Sequence, residues 1–328
     1  MQYLGRRAAR RWFAAGAGAV LVLAAAASAS AQVNRRDVPI VAQPQQRFNS
    51  GQDIQPIFEG WTRNEDGSYQ FHYGYLNRNY RERPNVPVGA DNFFSPGEPD
   101  RGQPTYFYPR TNRYQFDVHV PADFPRDAEL IWEVTRQGST QRAYGWLQPE
   151  WEIDVNTITS NARTQFGRGV DELYTNLAPA VSAEASHETV AVGAPVNLTA
   201  RVTDDDLPTP VPERDDSLPR RRRDPTLVAP PGAPQIPDNI PSYTRPTPTR
   251  NHISVLWAVY RGPADAEFEP YGYQEWAEGM DGDGWTSGTF ETTVIFEEPG
   301  DYRLRAFVSD AMLVSYGDVD ITVTAAEQ

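Results

Sequence analysis

Residues 68–80 read SYQFHYGYLNRNY. Tyr69, Phe71, Tyr73 and Tyr75 alternate with Gln70, His72 and Gly74, the two-residue period of a β-strand with an aromatic face. A helix would space its apolar residues three and four apart. NEDGS, residues 64–68, is a turn signal, so Phe58–Thr62 and Tyr69–Tyr75 form a predicted hairpin. Where that strand ends, Asn77, Arg78 and Asn79 gather polar groups at the start of a long stretch, residues 77–113, rich in Asn, Pro and Gly. Two roles are open to these three residues: a ligand-binding site, or a hydrogen-bond cluster that pins the loop. The pinning role is favoured.

Further strands follow at short spacing. In RYQFDVHVP, Tyr114, Phe116, Val118 and Val120 share a face, and AELIWEVTR and RAYGWLQPEWEID are each bounded by Pro, Gly or Asp. These predict a first β-sandwich over residues 53–156. The polar stretch 157–175 reads as a connector with room for one short helical turn. A second alternating series then runs through ETVAVG, PVNLTARVTDD, HISVLWAVYRGP, FETTVIF, GDYRLRAFVSD and GDVDITVTA. It predicts a second sandwich over 176–328, interrupted at 208–250 by a Pro- and Arg-rich insertion. Proline at that density blocks helix and ladder alike. The expected fold class is all-β: two tandem antiparallel sandwiches, with the insertion extended and solvated.

Residues 176–210, NLAPAVSAEASHETVAVGAPVNLTARVTDDDLPTP, resemble the opening of the Ig-like sandwich modules related to the polycystic kidney disease (PKD) repeat. Those modules open with Asn-x-x-Pro, a Val-x-x-Gly turn, a Leu-Thr-Ala strand and an Asp-Asp-Gly-x-Pro loop. LWAVYRGP, TTVIFEEPGDYRLRAFVSDA and DVDITVT continue the resemblance to residue 324. It implies an Ig-like arrangement, with Trp257 facing inward on a central strand and Gly300 making the turn before Tyr302. Asp206 and Ala311 stand where glycine is usual, and the Trp-Asp-Phe-Gly-Asp-Gly signature is missing, so the resemblance is to the wider Ig-like group. Residues 57–154 resemble a group of uncharacterised exported bacterial proteins that carry FEGW, DGSY, GYLNRN, PG-x-x-D-x-GQPT-x-F-x-P and VP-x-DF. That likeness implies architecture only.

The chain opens with four arginines and no acid, then an apolar Ala/Val/Leu run, then Ala29-Ser30-Ala31. This is the plan of a signal peptide, residues 1–31, cleaved after Ala31. The run is shorter than the roughly 20 residues a membrane span needs, and no later segment offers another. The mature chain is expected to be periplasmic or secreted, with a mobile leader at 32–52. Arg10-Arg11 also fits a loose twin-arginine pattern, and ordinary export is favoured over it. Loss of those four charges takes the formal net charge from −14 to −18. Such a chain repels nucleic acid. No cysteine is present, so packing alone must stabilise an exported protein.

No G-x-S-x-G, H-E-x-x-H, P-loop, Rossmann fingerprint or C-x-x-C occurs. The four histidines are scattered; His72 and His119 lie on polar strand faces and could pair across a sheet, a weak case for zinc. Glu150 with Glu152, and Asp281 with Asp283, share strand faces but read as solvated acids, because glycosidases need two carboxyls set across a sugar. Structural calcium is more plausible than catalysis, with Asp204, Asp205 and Asp310 on loops that fall at one end of the second sandwich and offer hard oxygen ligands. Tyr271, Tyr273, Trp276 and Trp285 lie in one loop, as a platform for sugar rings or a partner's apolar side chains, or as anchors folded back on the sandwich. The anchor role is favoured. Together these features imply a non-enzymatic binding or structural protein with a protein or glycan partner at the cell envelope; the alternative is a polysaccharide-binding or polysaccharide-degrading accessory module.

Overall fold

A computed structural model describes residues 47–162, 171–209 and 252–325. The signal peptide, most of the leader and nearly all of the insertion lie outside the described residues. The chain is all-β, as the alternation predicts. Its first part contains β1 (Ile54–Arg63), β2 (Tyr69–Asn77), β3 (Asn92–Ser95), β4 (Arg110–Val120), β5 (Leu130–Arg136) and β6 (Ser139–Gly145). These form two three-stranded sheets, β1-β2-β4 and β3-β5-β6. The predicted hairpin is there, with β1 and β2 antiparallel and a bulge between Phe58 and Gly60. Tyr69, Phe71, Tyr73 and Tyr75 are all buried. The Tyr73 ring stacks on Phe116 at 5.6 Å and meets Phe94 edge-on at 5.2 Å, and Trp132 stacks on Phe94 at 5.9 Å. An aromatic core of this kind substitutes large buried area for disulfides.

Two predicted irregular or extended stretches differ in the structure. Residues 77–113 carry β3 and bury Val86, Phe94, Tyr106, Phe107 and Tyr108. Side-chain amides replace the missing ladder there: Asn92 Nδ2 donates to the carbonyls of Val86 and Pro104, each at 2.9 Å. RAYGWLQPEWEID ends as a strand at Gly145 and turns through a short 3-10 segment, Pro149–Trp151. Proline accounts for this, since it begins a helical turn readily and cannot donate to a ladder. The connector then forms α1 (Val155–Ala162).

The second part contains β7 (Ala180–Ala185), β8 (Thr189–Ala191), β9 (Val196–Thr203), β10 (Ser254–Arg261), β11 (Ala266–Glu269), β12 (Tyr273–Glu275), β13 (Ser287–Phe296), β14 (Gly300–Ser309) and β15 (Val314–Thr324). Its sheets are β11-β13-β9-β7 and β12-β10-β14-β15-β8, an Ig-like sandwich. It is not wholly antiparallel, because β8 pairs parallel with β15. The chain enters in one sheet at β7 and crosses to the other at β8, so its first strands close both sheets. Tyr302, Leu304, Ala306 and Val308 of the alternating GDYRLRAFVSD stretch are buried in the core, and Trp257 is buried on β10. Gly300 takes a φ of 146°, outside the range of ordinary side chains. Asp206 and Ala311, which stand where glycine is usual in the modules the sequence resembles, sit at φ 70° and 80°. The backbone requirement is therefore kept while the residue is not.

The two sandwiches interlock. Tyr106 and Tyr108, from the first half of the chain, belong to the core of the second sandwich, and Tyr260 of β10 belongs to the core of the first. The Val259 amide donates to Tyr108 Oη at 2.9 Å, and Tyr260 Oη donates to the Gly102 carbonyl at 2.6 Å. Arg261 forks onto Asp100 at 2.7 and 2.8 Å. Arg305 completes the junction: its guanidinium lies 3.5 Å from the Tyr260 ring centre and 3.8 Å from that of Tyr316. It also holds Asp318 in a fork and donates to the Gln115 carbonyl at 2.9 Å.

A planar fork sandwiched between two rings is a geometry lysine cannot reproduce. Arg305→Lys is expected to lower the unfolding free energy by about 2 kcal/mol. It should also separate one cooperative transition into two, read by urea denaturation followed in parallel by tryptophan fluorescence and circular dichroism. An unchanged midpoint with a single transition would remove Arg305 from its role at the junction.

Candidate functional site

At the end of β2 the polar cluster is internal. Asn77 and Asn79 are fully buried. Asn77 Nδ2 donates to the Glu82 and Phe107 carbonyls at 2.8 and 2.9 Å, and Asn77 Oδ1 accepts from the Asn79 amide and from Asn79 Nδ2 at 3.0 and 2.8 Å. Asn79 in turn binds Gln52, accepting from its amide at 2.7 Å and donating to its carbonyl at 3.1 Å. This is the loop-pinning role, and burial removes both residues as ligand contacts. It also fastens Gln52, at the end of the expected leader. Arg78 is exposed, and its carbonyl accepts from Arg110 at 3.0 Å.

The loop with Tyr271, Tyr273, Trp276 and Trp285 divides. Trp276 packs against the second core, with its ring over Gly284 so closely that a Cβ there would fall 2.5 Å from it. Its indole N–H has no partner among the described residues. Trp276 is therefore an anchor. His252 bridges the two tryptophans, 5.8 Å from the Trp276 ring and 5.0 Å from that of Trp285, while Tyr271 is largely exposed. Tyr273, on β12, packs against the second core as Trp276 does. Asp283 beside them accepts the Thr286 hydroxyl at 2.6 Å and the amides of Trp285, Thr286 and Ser287, which together hold its carboxyl well below the usual range and make it a turn residue. Neither histidine pairs with the other: the register sets His119 opposite Gln70, and His72 binds Asp117 at 2.6 Å and Thr62 at 3.0 Å.

The acidic end of the second sandwich is more unusual. Among the described residues, no three Asp, Glu, His or Cys side chains group so as to hold a metal. Asp205 differs from the other two in being exposed, and its two oxygens accept the amides of Leu177 and Leu207 at 3.0 and 3.1 Å. Asp204, at the end of β9, and Asp310, at the end of β14, remain close enough to repel. Burial, then the Asp310 charge, push Asp204 up to about 7. Burial pushes Asp310 up to about 6, although the Met312 and Leu313 amides and Asn176 Nδ2 all donate to it.

A third location went unread in the sequence. Arg142, Tyr144 and Trp146 point outward at strand period while Ala143, Gly145 and Leu147 point in. Gly145 is required there, since a Cβ would lie 2.3 Å from Tyr73 Oη. Tyr144, Trp146 and Trp151 are 48%, 37% and 43% exposed. They line a groove of about 410 Å³ between β1 and β6, floored by Pro56, Ile57 and Phe58. The Trp151 ring is propped by Phe58 at 5.6 Å, and Trp146 Nε1 donates to Gln148 Oε1 at 2.6 Å. Trp146 also borders a neighbouring depression of about 520 Å³ that includes Arg126, Asp127 and Glu129. The sequence signal was present: aromatic residues on the polar face of a strand.

No family model matches the chain, and no curated protein matches it. Solved structures with a detectable likeness include the adhesin InvE of Yersinia pseudotuberculosis, at 9% identity over 82% of this chain and 58% of that one, TM-score 0.23. The D0-D1 domain of intimin is 11% identical over 82% of this chain and 97% of its own, TM-score 0.22. The S-layer protein rSbsC(31-844) is 9% identical over 84% and 28%, TM-score 0.22. The chain thus spans about 58% of the adhesin it matches. At such TM-scores these likenesses carry no weight for function. No helix among the described residues is long and apolar enough to cross a membrane.

The acidic pair has a measurable consequence. Between about pH 4 and the raised values near 7 for Asp204 and 6 for Asp310, the folded chain holds protons that the unfolded chain, with ordinary aspartates near 3.8, has released. In cation-free buffer stability is therefore expected to fall as pH rises from about 4 to about 7. Asp204→Asn should flatten the upper part of that fall, as read by urea titrations at stepped pH. A profile unchanged by the substitution would show that Asp204 ionises normally.

Proposed function

We propose that this chain is an exported, non-enzymatic binding protein of the cell envelope or the extracellular space, and that the Tyr144–Trp146–Trp151 groove holds the sugar rings of an uncharged glycan. The arginine-led apolar start with its Ala29-Ser30-Ala31 site supports export. The observation that carries the reading is the groove itself. Three large aromatic side chains stand exposed around one cleft, where burial in the core would ordinarily claim them.

Aromatic faces stack on the C–H faces of sugars and lose little side-chain entropy in doing so. Gln55 and Arg142 on the rim supply the planar donors and acceptors that orient hydroxyl groups. The formal net charge, −18 once the signal peptide is removed, disfavours acidic polymers. The interlocked junction supports a second contribution, a stiff carrier that presents the groove.

The test is a glycan array with the purified mature protein, followed by calorimetry on the best hit. Trp146→Ala and Trp151→Ala are each expected to weaken binding at least about tenfold, with little change in Tm because both side chains are already partly in water. An array without hits, or binding indifferent to both substitutions, would overturn the reading. Capture of a protein that depends on Trp146 would move the groove to protein recognition.

A further inference from the structure

The end of the second sandwich holds three buried or half-buried oxygen donors whose protein partners do not use them up. Asn176 is 7% exposed, its Nδ2 is committed to Asp310 Oδ2 at 2.9 Å, and its Oδ1 has no partner among the described residues. The amide thus meets the Asp310 carboxylate through its nitrogen, and its buried oxygen is left over. Flipping the amide would set oxygen against oxygen, so the orientation is determined. Asp204 Oδ1 is likewise buried with no partner among the described residues. Asp310 is 2% exposed. Its Oδ1 accepts both the Met312 and Leu313 amides at 2.6 Å, while its Oδ2 accepts Asn176 alone. A carboxylate offers about four lone-pair directions; one on Oδ2 is therefore left over.

We propose that Asn176 Oδ1, Asp204 and Asp310 Oδ2 form a calcium site at this end of the second sandwich. Two carboxylates and one amide carbonyl are hard oxygen donors, and a divalent cation balances the two negative charges that otherwise repel. Water and backbone carbonyls complete a coordination shell of six to eight. Calcium fits better than magnesium, which demands a tight octahedron and gives up its water reluctantly. Asp205, expected from sequence as a ligand, instead secures the Leu177 amide and shapes the turn.

The site's location gives it a role. Asn176 and Leu177 are where the chain enters the second sandwich, Asp204 ends β9 in one sheet, and Asp310 ends β14 in the other. A bound cation ties all three together. Extracellular modules of this kind bind calcium at about 10⁻⁴–10⁻³ M, so an exported chain would hold the ion outside the cell and lose it to a chelator. The proposal does not rest on the glycan reading, since the groove lies in the first sandwich.

The experiment is calorimetric and thermal titration of the chelator-treated full mature chain with calcium chloride, with magnesium chloride as comparison. Calcium should raise Tm and release or absorb heat with one-to-one stoichiometry, and magnesium should do so more weakly. Asp204→Asn and Asn176→Ala are expected to reduce calcium affinity at least about tenfold, with circular dichroism confirming that each variant is folded. Three results would overturn the proposal: no response of the unsubstituted protein to calcium, a response undiminished in both variants, or a calcium-independent rise in Tm for Asp204→Asn with no calcium binding. The last would assign the cluster to a shared proton.

Discussion

The exchange of tyrosines between the two sandwiches is the interaction on which the rest of the structure depends. Tyr106 and Tyr108 leave the first half of the chain to pack in the second core, and Tyr260 is buried in the first. Tyr108 and Tyr260 each carry a phenol oxygen into the junction and find a backbone group there: Tyr108 Oη takes the Val259 amide, and Tyr260 Oη donates to the Gly102 carbonyl. The desolvation of those hydroxyls is offset only while the two sandwiches stay together. Arg305 between Tyr260 and Tyr316 adds a charge that is stable in that place because two rings, a carboxylate fork and the Gln115 carbonyl surround it.

That junction explains two features of the fold that a chain of independent modules would not need. Strand β10 is buried on both faces over Ser254–Tyr260, because one face meets its own sandwich and the other meets the tyrosines of the first half. Outside β3, the Pro-rich stretch around residues 84–109 is compact without regular ladders, since Asn77, Asn92 and Gln103 supply hydrogen bonds that strands would have made. Stiffness at the junction leaves the outer edges as the places where chemistry is displayed. Those are the β1/β6 groove in the first sandwich and the acidic end in the second.

The two candidate sites differ in how far they could be read from the chain. Asp204, Asp205 and Asp310 stand out as acids on loops, but sequence spacing treats them alike, and only the local turn shows that Asp205 spends its oxygens on backbone amides. Asn176 stands in the sequence only as the Asn of the Asn-x-x-Pro opening, with no sign of a ligand role. Its claim arises from being buried with one amide oxygen left over. The groove is the reverse case. RAYGWL already places two aromatic residues on the outward face of a strand, but Trp151 joins them only because Pro149 turns the chain back toward Phe58.

Strand period, turn chemistry and the run of apolar alternation are local properties, fixed by which side of a pleat each residue must take. For this reason SYQFHYGYL by itself determined a buried aromatic face, GDYRLRAFVSD an inward row, and the whole chain an all-β class. The fate of Asn77 and Asn79 was legible as a choice between two roles, and burial decided for the structural one. Which oxygens stay unpaired, whether Trp151 joins the outward pair Tyr144 and Trp146, and which tyrosines cross from one sandwich to the other are set by what arrives from distant parts of the chain. Satisfaction of a polar group and burial of a ring are sums over neighbours brought together by folding, so those outcomes belonged to the tertiary structure alone.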